Sequence, residues 1–151
     1  MKKRNILRAS GALLIFAVLG LFSACDVFTL YEPVGRFSSL DKDRISLSVN
    51  GEEEITVTVY ISSKIEEPYI VVWVFSDAGI AKVSKVTRND EEVYTEANSF
   101  SQVNINQTTE TTLIFTVKGV STGNTKLTLV VRKEDVNEQT DKCEVSISVG
   151  S

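Results

Sequence analysis

Hydrophobic and polar residues alternate with a period of two through most of the chain after residue 44. Such alternation places one face of a strand in a core and the other face in water. Val, Ile and Thr, which suit a pleated surface, supply most of these positions. Asn50-Gly51 follows the first segment and is typical of a hairpin turn. We therefore predict strands near residues 45–49, 55–61, 80–86, 113–117, 127–131 and 143–149.

Residues 70–75 differ because they are apolar without interruption. A short run of this kind indicates a central strand that is covered on both faces. Trp73 lies within it, and we expect a core position for this side chain, since sandwich domains centre on a buried Trp. Asp77 follows in the sequence Ser-Asp-Ala-Gly, where an Asp side chain binds the backbone of its own turn.

No apolar stripe with helical spacing appears after residue 44. Seven or more short strands separated by turns are typical of an antiparallel sandwich. The pattern thus predicts an all-β fold, an antiparallel β-sandwich of about seven to nine strands.

Residues 1–24 have a different pattern. Lys2, Lys3, Arg4 and Arg8 are followed by an uncharged run over residues 9–24. A basic start, an apolar stretch and small residues at its end are typical of a secretory signal peptide. The run is shorter than the roughly 20 apolar residues of a spanning helix, so a permanent span is the weaker interpretation.

The end of this run, Phe22-Ser23-Ala24-Cys25, resembles a bacterial lipobox, in the looser form of spirochaetal lipoproteins because Phe22 replaces Leu. The resemblance implies cleavage before Cys25, a diacylglyceryl thioether on its sulfur and acylation of the new amino group. The protein would be exported and anchored by lipid in the bacterial cell envelope, and we expect the outer rather than the inner membrane. The alternative is an ordinary secretory signal with Cys25 as an incidental thiol.

Residues 25–44 lack a clear period and contain Pro33 and Gly35. We predict that they form a spacer between the lipidated cysteine and the folded domain, although Phe37 packing on that domain would shorten it. Loss of residues 1–24 leaves 127 residues, with 12 basic against 20 acidic side chains and a charge of −8. A chain of this length can bury a core without disulfide bonds.

The order of motifs in residues 45–149 resembles the bacterial immunoglobulin-like domain of group 2, found in bacterial surface proteins. The resemblance implies an immunoglobulin-like sandwich over residues 45–151 that acts as a binding or adhesion module for a protein or glycan ligand. A periplasm-facing structural subunit of an envelope complex is the alternative. The matching segments are the opening strand and its Gly turn at 45–52, the second strand at 55–61, the Trp segment at 73–77, Ile-Ala-Lys-Val-Ser at 80–84, the spaced glycines at 117–125 and the closing strand at 143–149.

Segment 88–112 is longer than its counterpart in that family. It scatters aromatic and aliphatic residues among amides and hydroxyls, a mixture that suits adaptable contacts. Loops on a rigid sandwich often carry binding. An extra edge strand fits equally well, because Val103 and Ile105 alternate with Asn residues. The ligand-contact candidates are Tyr94, Phe100, Asn104 and Asn106.

Acidic residues near the chain's end raise a calcium hypothesis, since hard cations require six to eight oxygen ligands. The candidates are Glu134, Asp135, Glu138 and Asp141. No D-x-D-x-D-G loop is present, and a solvated loop is the stronger interpretation. Cys143 shares parity with Val145, Ile147 and Val149, so we expect it to point inward as a small apolar residue.

Composition excludes several classes of chemistry. The chain has no His, so Ser-His-Asp and Cys-His nucleophiles and His-containing zinc sites are impossible. A net charge of −4 argues against nucleic-acid binding, which needs a basic patch. No Gly-rich phosphate loop is present. We expect no enzymatic activity and no cofactor.

Overall fold

The computed structural model describes residues 35–62, 68–96, 101–105, 109–134 and 139–151. The regular structure of these residues consists of ten β-strands, and none of them forms a helix long and apolar enough to cross a membrane. The strands are β1 (Gly35–Leu40), β2 (Arg44–Ser48), β3 (Glu52–Ile61), β4 (Tyr69–Phe75), β5 (Ala81–Arg88), β6 (Glu91–Thr95), β7 (Gln102–Ile105), β8 (Thr109–Gly119), β9 (Gly123–Lys133) and β10 (Gln139–Gly150).

The strands form two five-stranded sheets. Sheet A has the order β1-β3-β8-β5-β6, and sheet B has the order β2-β10-β9-β4-β7. Their inner faces enclose one hydrophobic core, which confirms the predicted all-β sandwich. Every described pairing is antiparallel except that of β2 with β10, which is parallel.

The alternation seen in the sequence accounts for the core. Ile55, Val57 and Val59 of β3 are fully buried, and the residues between them point away from the core. Trp73 is 4% exposed, as expected for a core residue. Its ring packs edge-on against Tyr94 and Phe115, with centroid distances of 4.8 and 5.5 Å. Such edge-to-face pairs contribute about 0.5–1.5 kcal/mol beyond the area that they bury.

The sandwich begins earlier than residue 45. Gly35–Leu40, which the sequence places in the spacer, forms β1 and pairs with β3. Phe37 and Leu40 also pack against the core. Assigning residues 35–40 to the spacer is therefore wrong. This strand and the two strands of segment 88–112 bring the number to ten, above the seven to nine expected.

The expectation that both faces of β4 are buried is wrong near the C-terminal end of this strand. Ile70 is buried, but Val74 is 63% exposed. Both side chains lie on the outer face of sheet B, because Trp73 and Val71 take the inward positions. An uninterrupted run of apolar residues therefore did not mean that every side chain of the strand is buried.

The start of the described chain and three of its turns lie at opposite ends of the sandwich. Gly35 pairs with Ile61 at one end of sheet A, where the described chain begins. The turns at Asn50-Gly51, 76–80 and 120–122 lie at the opposite end, together with Gly150. Asn50 has a positive φ of 64°, a conformation that Asn tolerates better than most residues.

Candidate functional site

Segment 88–112 crosses from one sheet to the other. Its first part forms β6, the edge strand of sheet A, and its second part forms β7, the edge strand of sheet B. Val103 and Ile105 of β7 are buried, while Asn104 between them is exposed. The edge-strand interpretation of this segment is thus confirmed at Gln102–Ile105.

Tyr94 does not belong to an exposed contact surface. It is 9% exposed, and its ring packs edge-on against Trp73. Proposing it as a ligand contact is therefore wrong, because the alternation of β6 turns this side chain into the core. The apolar Val93 directly before Tyr94 conceals that alternation in the sequence.

Asn104 is the described candidate that faces solvent. Its backbone carbonyl accepts a hydrogen bond from Arg88 Nη1 at 2.7 Å. Arg88 lies at the end of β5, next to the edge strand β6, so this bond joins sheet A to the edge strand β7 of sheet B. Phe100 and Asn106 lie outside the described residues, as does the predicted lipidation residue Cys25.

The calcium candidates are only partly described. Glu134 is exposed, whereas Asp135 and Glu138 lie outside the described residues. Asp141 accepts the Phe37 N–H through Oδ2 and the Lys142 N–H through Oδ1, each at 2.8 Å. Among the residues that can be placed, no three Asp, Glu or Cys side chains cluster to hold a metal. The bond from Phe37 gives Asp141 a structural role, since it holds β1 against β10.

Cys143 is partly buried and packs against the core, as its parity in β10 predicts. Burial raises the pKa of its thiol to about 12, and the nearby Asp141 carboxylate adds to the shift. The thiol therefore stays protonated and weakly nucleophilic at neutral pH. This chemistry fits a small apolar residue rather than a reactive cysteine.

Asp77 shapes a turn, as predicted. Its Oδ1 accepts the Gly79 N–H at 2.9 Å, and its own N–H donates to Thr125 Oγ1 at 3.0 Å. Ser76 Oγ accepts the Lys126 N–H at 3.0 Å in the same network. These bonds tie the β4–β5 turn to the start of β9, so this end of the sandwich is a set of short turns rather than long loops.

The charged groups on the outer faces form ion pairs with modest effects. Lys126 lies 3.0 Å from Glu144, and this hydrogen bond lowers the pKa of the Glu144 carboxyl. A hydrogen bond from Lys82 likewise lowers the pKa of Glu96. All four side chains are well exposed, so solvent screens both pairs and they contribute little to stability.

Strand β2 forms one edge of sheet B, and at Ser48 this edge is covered by the chain itself, since Ser48 O accepts the Gly51 N–H at 2.9 Å and lies against Gly119. Asp43 O accepts from Ser146 N at 2.9 Å, and Val49 N donates to Gly150 O at 3.1 Å. Because successive residues of a strand direct their N–H and C=O groups to opposite sides, the backbone groups of Arg44, Ser46 and Ser48 point away from β10. Within the described ranges, no strand lies beyond β2.

Sequence reasoning did not find this edge. The period of two identifies a strand and its buried face, but it does not say which strand lies beside which. The short strand at Arg44–Ser48 looked like any other strand of the sandwich. Its edge position depends on the parallel pairing with β10, which is about 100 residues away in sequence.

Comparison with known proteins supports the fold. A mutant form of the enterotoxigenic E. coli adhesin CfaE is similar with a TM-score of 0.52 and 7% sequence identity, and the match covers 80% of this chain and 49% of that chain. Domains 4 and 5 of the S-layer protein SbsC match with a TM-score of 0.43, 15% identity, and coverage of 75% and 50%. A chain of the complex between CaCohA2 and a mutant CaDoc0917 matches with a TM-score of 0.48, 13% identity, and coverage of 77% and 99%.

The chain thus spans about half the length of CfaE and of the S-layer fragment. At such low sequence identity, the similarity to CfaE shows the β-sandwich fold alone. No protein-family model matches the sequence, and no curated protein matches it.

Proposed function

We propose that this chain is an exported, lipid-anchored binding module of the bacterial cell envelope. The observation that carries the proposal is Cys25, which follows a basic and apolar leader and small residues in the order of a lipobox. Lipid on this residue stabilises membrane attachment by about 0.8 kcal/mol per buried CH₂ group. The proposal gives the chain no catalytic role and no cofactor.

The position of β1 suits such an anchor. Gly35 follows Cys25 by ten positions, so a fully extended connection spans at most about 33–36 Å. Arg36 lies over the Tyr60 ring at 5.3 Å, and Phe37 donates to Asp141. A pull on the chain at residue 35 would therefore act on a strand that is fixed to both sheets, and the domain would stay near the membrane.

The anchor is tested by growing cells with radiolabelled palmitate. We expect the purified protein to carry label and Cys25→Ser to carry none. Cys143→Ser is the matched control, because it removes the other cysteine and should keep the label. Equal labelling of the wild type and Cys25→Ser would contradict the anchor.

A binding role requires a partner, which in this proposal is a protein or a glycan. It also requires that the domain faces that partner. Protease added to intact cells distinguishes two arrangements. Loss of the protein from intact cells supports outward display and adhesion. Loss only after lysis supports a periplasm-facing subunit of an envelope complex, and overturns adhesion.

A further inference from the structure

We propose that the outer face of sheet B is the binding surface of this module and that its ligand is an acidic polysaccharide. This face consists of the side chains of β2, β10, β9, β4 and β7 that point away from the core. The ligand class rests on the proposed function and narrows it, from any protein or glycan to glycans that carry acidic groups.

The outer face of sheet B is basic, although the chain is acidic. At its described strand positions, Glu144 is the one acidic residue, and the basic residues are Arg44, Lys126, Arg132 and Lys142. The chain after residue 24 has 12 basic against 20 acidic side chains. The charges are therefore unevenly distributed, and this face has the sign that attracts an anion.

The register of the strands arranges these charges as a track. Ser146 pairs with Arg44 on one side and with Lys126 on the other, so these two basic residues lie two strand spacings, or about 10 Å, apart. Lys142 lies about 13 Å along β10 from Ser146, and Arg132 lies about 20 Å along β9 from Lys126. Such dimensions suit an extended polyanion better than a single small anion.

Glu144 binds two of the lysines through exposed ion pairs. Its carboxylate oxygens lie 3.0 Å from Lys126 Nζ and 3.7 Å from Lys142 Nζ. One carboxylate balances only one of the two positive charges, and solvent screens exposed pairs of this kind, so another anion can compete for the lysines. Within the described ranges, Arg44 forms no ion pair.

The other side chains of this face suit a sugar chain. Hydroxyl and amide groups donate and accept hydrogen bonds, as sugar hydroxyls require. Val74 is 63% exposed beside Thr128, and the C–H face of a sugar ring can pack on its methyl groups. The polar residues of the face include Ser46, Asn104, Asn124, Thr128, Ser146 and Ser148.

The same face is a poor match for a membrane or a protein. Membrane-binding surfaces bury apolar area in addition to pairing charges, and Val74 is the one largely exposed apolar residue at the described strand positions of this face. Protein interfaces have cores that are rich in aromatic residues and poor in charge. The described strand positions on this face include no aromatic residue.

Salt in solution lets this face act despite the net charge of the chain. At physiological ionic strength the Debye length is about 8 Å. Two packed sheets lie about 10 Å apart, so the acidic side chains on the outer face of sheet A are farther than this from a ligand on sheet B. The ligand therefore interacts mainly with the basic residues of sheet B.

Binding to polygalacturonate, an acidic polysaccharide, tests the proposal with the full-length lipidated protein in a non-ionic detergent. We expect binding to polygalacturonate and none to dextran, which is neutral. Lys126→Gln combined with Lys142→Gln should weaken binding several-fold. Lys82→Gln combined with Lys118→Gln is the matched control, because it removes the same charge from the outer face of sheet A and should leave binding unchanged.

A second pair of variants tests the competition by Glu144. Glu144→Gln removes the carboxylate from Lys126 and Lys142, so it should strengthen binding to polygalacturonate several-fold. Glu96→Gln is the matched control, since Glu96 is an exposed carboxylate that pairs with Lys82 on the other sheet. It should leave the affinity unchanged. Urea unfolding verifies that each variant is as stable as the wild type.

The outcomes separate this inference from the anchor. No binding to polygalacturonate overturns it, as do equal effects of the substitutions on the two sheets. Equal affinity for polyglutamate overturns the polysaccharide, and so does an equally strong preference for phosphatidylglycerol over phosphatidylcholine vesicles. Palmitate labelling reports separately on Cys25. A labelled protein that does not bind contradicts the ligand alone, and an unlabelled protein that binds contradicts the anchor alone.

Discussion

The Phe37 N–H donates to Asp141 Oδ2 at 2.8 Å, and this bond joins the first strand of sheet A to the last strand of sheet B. Asp141 lies at a bulge in the pairing of β10 with β9. The bulge lets one carboxylate bind β1 through Oδ2 and Lys142 N through Oδ1. Asp141, which the sequence suggests as a cation ligand, thus forms a hydrogen bond that links the two sheets.

Asp141→Ala should therefore destabilise the domain. It leaves the Phe37 N–H without its acceptor, and an unsatisfied, partly buried donor costs about 1–3 kcal/mol. Urea unfolding followed by Trp73 fluorescence measures the loss. Asp43→Ala, which removes an exposed aspartate just before β2, should change the free energy of unfolding by less than about 0.5 kcal/mol. Equal losses in the free energy of unfolding for the two substitutions would argue against a stabilising role of the bond between Phe37 and Asp141.

Trp73 and Tyr94 should behave as one packing unit. Tyr94→Ala should cost about 3–5 kcal/mol, because it removes a ring that packs against Trp73 at 4.8 Å. Tyr94→Phe keeps the ring and should cost much less. Thermal unfolding ranks the two variants against the wild type. A large loss of ligand binding in a fully stable Tyr94→Ala protein would restore Tyr94 as a contact residue.

Local patterns predicted the core well, because each strand follows the same rule of parity. Trp73 was placed correctly since its neighbours at i±2 are apolar, and Cys143 was placed correctly since it shares parity with Val145, Ile147 and Val149. Tyr94 was misplaced because β6 is short and its other residues are mostly polar. Gly35–Leu40 was missed for a related reason, since its bulge breaks the alternation.

Local sequence patterns did not predict the order of the strands within the two sheets. The bond between Phe37 and Asp141 joins residues 104 positions apart, and no local pattern reports a contact of that kind. The position of β2 at the edge of sheet B likewise follows from which strands pair. Conversely, the resemblance to a lipobox at Cys25 is visible only in the sequence, since Cys25 lies outside the described residues.

Cys143 should make stability depend on alkaline pH. The pKa of its thiol is about 12 in the folded domain against an ordinary value of 9.0. Above pH 9 the unfolded chain loses this proton while the folded domain keeps it, so the free energy of unfolding falls as pH rises between the two values. Below pH 9 both states are protonated and this contribution is constant. Urea midpoints measured on each side of pH 9 should fall more for the wild type than for Cys143→Ala, and parallel curves would contradict the shift.

Gly119 should tolerate no side chain, because it packs closely against the end of β2 at Ser48. A Cβ at this position would lie 2.5 Å from the backbone oxygen of Ser48, which cannot move without disturbing β2. Gly119 N also donates to Gly51 O at 2.9 Å. Gly119→Ala should therefore cost about 1–3 kcal/mol through overpacking.

Gly79→Ala is the matched control for that substitution. Its Cβ would meet only Asp77 Oδ1, at 3.1 Å, and the carboxylate can shift by a few tenths of an ångström. Denaturant unfolding should show a clear loss of stability for Gly119→Ala and a small one for Gly79→Ala. Equal losses of stability for the two substitutions would show that the contact between Gly119 and Ser48 does not restrict the side chain at position 119.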